Sequence, residues 1–166
     1  MSNLIGSNSE SFIISNGLTD VFINVLVLSG SRLAETVDEK RLIVWLAEKD
    51  QSKVGMGTVG FDIGEMPWNA DSFGESKTFL LNVIHGAENR LGWETLDYSP
   101  NEEMIFPVLK KFAELISVFS VEDIVRGCLE EWLGAAEEHD PVRCGFPKCE
   151  KHGALLSCFG CQICNN

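Results

Sequence analysis

The sequence predicts an all-α protein, a bundle-like domain of about five helices with a small zinc-knuckle, ribbon-like module at its C-terminus. Three observations point there. Capping-box patterns, a hydroxyl residue followed three positions later by an acid, recur at Thr36–Glu39, Ser99–Glu102 and Ser120–Asp123. Apolar residues return at helical spacing after these signals. Finally, Cys144, Cys149, His152, Cys158, Cys161 and Cys164 crowd into 21 residues at the chain's end. The predicted organisation is a flexible lead over 1–15, an acidic helical domain over 16–139 and a metal-binding module over 140–166.

In chain order, residues 1–15 are rich in Ser and Asn and read as a lead-in without regular structure. Thr19 can cap a helix running to about Ala34 that is apolar on most sides; Val21, Ile23, Val25 and Val27 also alternate as a strand would. Thr36-Val-Asp-Glu39 opens the next helix, with Leu42, Trp45 and Leu46 on one face. The glycine-rich run Val54–Gly64 reads as a loop or a short extended piece, and Pro67-Trp68 opens a turn. Leu80, Val83, Ile84, Ala87 and Leu91 then mark a helix that Gly92 ends. Ser99-Pro-Asn-Glu102 starts another, whose inner face is Val108, Leu109, Phe112, Leu115, Ile116 and Phe119, with Pro107 disturbing its early turns. Ser120 opens the last helix, with Ile124, Cys128, Trp132 and Ala135 inward.

Charge bounds the partners. The chain of 166 residues has a formal net charge of −12. Residues 141–166 hold Arg143, Lys148 and Lys151 against Glu150, a balance of +2, so residues 1–140 carry −14. An acidic body of this kind repels nucleic acid and anionic membrane and suits a basic protein. The first residues show neither the basic start nor the apolar run of a signal peptide, and the apolar stretches are short of the roughly 18–20 residues that span a bilayer. These features place the protein in the cytoplasm, where thiols stay reduced and six cysteines favour metal or burial over disulfides.

Cys149-Glu-Lys-His152-Gly153 and Gly160-Cys161-Gln-Ile-Cys164 are two tight turns, each offering two soft ligands and carrying a glycine. Cys149, His152, Cys161 and Cys164 are therefore the predicted ligands of one tetrahedral Zn²⁺. The tail resembles zinc-ribbon and related knuckle modules in general, which implies a metal but no particular task. Cys144 or Cys158 can replace His152 in a second assignment. The run Cys158-x2-Cys161-x2-Cys164 also fits an iron–sulfur cluster with Cys144 or Cys149, but that reading leaves His152-Gly153 without a role. Four ligands with two to spare favour a closed structural site over a catalytic one, which keeps a position open.

Other patterns are weaker. Gly55-Met-Gly57-Thr-Val-Gly60 matches the dinucleotide fingerprint by letter but lacks the strand before and helix after that the chemistry requires. His85 and Glu88 make a solvated helix face, and Cys128 sits on an apolar stripe as an inert thiol. Phe61, Asp62, Glu65 and Trp68 set aromatic anchors beside acids, the composition of a partner-binding loop; the same aromatics can equally plug the bundle's end.

The functional expectation is a non-enzymatic, zinc-containing protein that binds another protein, for instance as an inhibitor or immunity-type partner of a basic one. The rivals are a metal-dependent hydrolase using the Cys/His cluster with a carboxylate, and a zinc-knuckle regulator of nucleic acid.

Overall fold

A computed structural model describes residues 1–164. It corrects the expected all-α class: five α-helices are accompanied by a three-stranded mixed sheet and a two-stranded sheet. The lead-in is a hairpin of β1 (Ser2–Gly6) and β2 (Ser11–Ser15), paired antiparallel from Ser2↔Ser15 to Gly6↔Ser11. The glycine-rich run supplies β4 (Gly57–Thr58), which pairs with β3 (Asp50–Gln51), and β5 (Phe61–Asp62), which adds to β1 in parallel. Gly60 makes this possible, because a Cβ there would lie 2.2 Å from the Leu4 carbonyl oxygen. Strands of two residues carry no periodicity of their own. They exist through partners distant in sequence, which is why the pattern of residues could not announce them.

The helices follow the apolar stripes more closely. α1 (Asn16–Leu33) is capped by the Ser15 hydroxyl rather than by Thr19, and is buried almost continuously from Phe22 to Ser31. It is the central element, packing against α2, α3 and α4 and against the β1–β2 hairpin. α2 (Val37–Ala47) has the predicted capping box, with both reciprocal hydrogen bonds between Thr36 and Glu39. α3 (Phe73–Glu88) and α4 (Glu102–Val118) turn their stripes onto α1; Pro107 lies within α4.

The last helix is shorter than expected. The Ser120–Asp123 box does form, but it caps a single 3₁₀ turn, Val121–Asp123. The Val125 amide then donates to the Gly64 carbonyl at 2.9 Å, drawing the chain out of helix. Gly127, at φ 89°, turns it into α5 (Cys128–Ala135), where Cys128 and Trp132 are half-buried and Ala135 is exposed.

One apolar core runs through the chain and includes Ala154, Leu155, Cys161 and Ile163 of the tail. Phe22 meets Phe112 edge to face, and Phe61 lies edge-on to both Trp45 and Phe112. Among the described residues no helix is long and apolar enough to cross a membrane.

Candidate metal centre

The C-terminal segment reaches its geometry through local turns held to the end of α1. The Cys149 amide donates to the Ala154 carbonyl at 2.8 Å and the Gly153 amide to the Cys149 carbonyl at 2.7 Å, closing the first turn. Ser157 and Gly160 bond reciprocally and close the link to the second. Gly153 and Gly160 have φ of 69° and 84°, left-handed values that explain a glycine beside each ligand pair. The Ser31 hydroxyl accepts the Leu155 amide at 2.8 Å, the Ser31 carbonyl accepts the Lys148 ammonium at 2.8 Å, and Arg32 donates to the His152 carbonyl at 3.4 Å. Leu155 is fully buried beneath these bonds.

The result brings the four predicted donors together. Their ligand atoms all lie within 4.8 Å of one another. The Cys149 and Cys164 sulfurs are 3.6 Å apart, and His152 Nδ1 is 3.6, 3.6 and 3.3 Å from the sulfurs of Cys149, Cys161 and Cys164. A tetrahedron built on ordinary Zn–S and Zn–N bond lengths has edges of about 3.5–3.8 Å. This Cys₃His geometry is therefore compatible with zinc.

The electrostatics agree with a cationic occupant. Burial pushes the Cys161 thiol up to about 12, whereas Cys149 is held below the ordinary thiol value. For Cys149, the backbone amides of His152 and Lys151 and the Cys164 thiol outweigh the opposing effect of burial. Ionising Cys161 is thus harder than ionising Cys149, and a dication at the cluster would favour the thiolate form of both. Burial, reinforced by Lys151, holds His152 below the usual histidine value, which favours the neutral ring a metal needs.

The proposed substitutes lie elsewhere. Cys144 is exposed, with its thiol toward the Glu138 carbonyl at 3.7 Å. Cys158 faces Glu48 at 3.9 Å and joins Glu48 and Asp140 in a second grouping of donor atoms, also within 4.8 Å of one another. Burial, then Glu48 and Asp140, push the Cys158 thiol up to about 11. Glu48 is raised too, first by burial, while its carboxylate accepts from Trp132 Nε1 at 2.8 Å. Sequence reading missed this grouping because its members come from the end of α2, a loop and the tail, with no spacing to link them.

The candidate partner loop is placed differently from an exposed contact surface. Phe61 is 7% and Trp68 3% exposed; Trp68 stacks on Phe119 and donates Nε1–H to the Ile63 carbonyl at 2.7 Å. Asp62 accepts the Gly64 amide, capping a 3₁₀ turn, and Glu65 is exposed. The aromatic anchors are core residues, and the acids are all that this segment offers to solvent.

Comparison with protein-family models, curated proteins and solved structures finds no match for this chain.

Proposed function

We propose that the chain is a non-catalytic binding protein for a basic protein partner, of the inhibitor or immunity type. One structural Zn²⁺ on Cys149, His152, Cys161 and Cys164 holds its C-terminus in shape. The observation that carries this reading is the closed donor set. Three sulfurs and one nitrogen at tetrahedral edge distances fill a four-coordinate ion and leave no position for water or substrate. That supports a stabilising metal over a hydrolytic one. It also supports zinc over an iron–sulfur cluster, since Cys158 stands apart and an imidazole takes the fourth place.

The partner class rests on charge. Residues 1–140 carry the acidic excess, and two of the three tail cations are spent inside the chain: Arg143 donates to the Leu133 carbonyl at 2.7 Å and Lys148 to Ser31. Lys151 alone is a thin basis for phosphate contacts, whereas an acidic surface speeds encounter with a cationic protein.

Elemental analysis of untagged protein tests the metal: one zinc per chain is expected, lost in Cys161→Ser and kept in Cys144→Ser and Cys158→Ser. A brown, iron-containing preparation, or zinc retained by Cys161→Ser, refutes it. Calorimetric titration of proteins captured from the native host tests the partner. Basic proteins whose binding weakens with salt are expected; exclusively neutral or acidic partners refute that part.

A further inference from the structure

A groove of about 550 Å³ lies where the end of α1 and the start of α2 face the first turns of α3. Its floor is apolar, formed by Phe79 and the partly exposed Leu33. Its polar rim is acidic: Glu35, Glu39 and Glu75, with no cation among the lining residues. Glu39 is fixed, its carboxylate accepting the amides of Glu35 at 2.8 Å and Thr36 at 3.1 Å. Glu35 and Glu75 are exposed, and neither side chain has an ion-pair or hydrogen-bond partner among the described residues.

The cations near this rim are all directed elsewhere. Arg32 reaches Glu94 and the His152 carbonyl, and Lys40 lies over the Phe146 ring at 6.0 Å. Arg41 pairs with Asp38 at 3.6 Å, and Lys77 donates to the carbonyls of Ser117 and Phe119 at 2.8 and 3.0 Å. Three carboxylates therefore line the groove beside an apolar floor, with no cation of the chain directed at them. That combination complements an Arg or Lys side chain, whose methylenes lie on apolar surface while its head reaches the acids. The volume falls within the range, roughly 300–1,000 Å³, of pockets that hold several side chains' worth of ligand.

We propose that this groove receives the partner as a cationic segment in which one large apolar side chain, seated on Phe79 and Leu33, is flanked by Arg or Lys. The inference rests on the basic-partner reading above and adds its location. It moves the contact surface from the buried Phe61–Trp68 segment to the junction of α1, α2 and α3.

The zinc-loaded full chain is used to select from a random peptide library at about 0.15 M salt, where screening reaches beyond roughly 8 Å. The enriched peptides are then titrated by fluorescence anisotropy. Peptides with a Leu- or Phe-type residue between basic ones are expected. Glu35→Gln with Glu75→Gln should weaken their binding about tenfold, as should Leu33→Ser, through faster dissociation and slower encounter. Glu103→Gln with Glu114→Gln removes the same charge from exposed positions of α4 and should leave binding within about twofold, on the modest weight of distant surface charges. Enrichment of acidic or uncharged peptides, or none, overturns the basic-partner reading and this inference with it. Basic peptides whose binding ignores the groove substitutions, or falls equally with the α4 pair, overturn the groove alone. The altered side chains are exposed, so circular dichroism should show unchanged folding in each variant.

Discussion

Replacing Leu155 with Ala measures how tightly the Cys/His-rich tail is built into the body. Leu155 is fully buried, in the same apolar core as the residues of α1 and α2. Leu→Ala substitutions in such positions cost about 2–5 kcal/mol, the larger values where neighbours cannot collapse into the void. Collapse is restricted here: the Leu155 amide is pinned to Ser31, the preceding Ala154 is fully buried, and the turns on either side are closed by hydrogen bonds. A value in the upper half of that range, about 4 kcal/mol, is therefore expected. For a domain of this size each kcal/mol moves Tm by about 2–4 °C, so the melting temperature should fall by roughly 10 °C. The assay is thermal unfolding of zinc-loaded protein followed at 222 nm, with metal release followed in parallel by a chromophoric chelator. Helix loss and metal release should shift together as one transition. If the helical transition stays in place while only metal release becomes easier, the tail is an independently folded unit and the reasoning fails.

Two further outcomes follow from the core and from the half-buried Glu48. Phe61→Ala removes a ring held edge-on between Trp45 and Phe112 and should destabilise by about 3–5 kcal/mol in guanidinium unfolding; unchanged stability with lost partner binding would return Phe61 to the surface. Burial of Glu48, only partly offset by the Trp132 hydrogen bond, raises its carboxyl in the folded chain above the unfolded value. The folded state thus holds the extra proton in the window between those values, and stability falls as pH rises through it. Glu48→Gln should consequently melt higher than wild type near neutral pH, with the gap closing below about pH 4, under the ordinary carboxylate value. A gap that does not change with pH would refute this assignment.

The Cys₃His cluster was legible because its turns are local. Each ligand pair spans a single turn, and the glycines at 153 and 160 adopt the left-handed geometry that their placement beside the ligands suggested. Sequence left Cys158 open as a substitute ligand, since the spacing Cys158-x2-Cys161 is as good as Cys161-x2-Cys164. In the structure its thiol faces Glu48, more than a hundred positions away, rather than the other four donors. The same distinction runs through the fold. α2 formed on its capping box because every partner in that box lies within one turn. β5 was hidden because Phe61-Asp62 becomes a strand only against Ile5-Gly6. Ser120 carried a true cap signal, but the Val125–Gly64 hydrogen bond overrode its continuation into helix. The Phe61–Trp68 segment had the composition of a contact loop, and whether its rings face solvent or core is decided by α2 and α4, outside the segment.

α1 is covered on almost every side, and its centre, Val21-Phe-Ile-Asn-Val-Leu-Val-Leu28, has no charge and no proline. In the native chain those residues are helical because α2, α3, α4 and the hairpin bury them from all directions. Released from that cover, the same eight residues form an uncharged run of β-branched and large apolar side chains that pairs readily with copies of itself. A lesion that opens the core around α1 exposes this stretch. Heating should accordingly be reversible in dilute solution but irreversible at high protein concentration, where precipitation outruns refolding and the protein's working lifetime is set by how rarely α1 is uncovered.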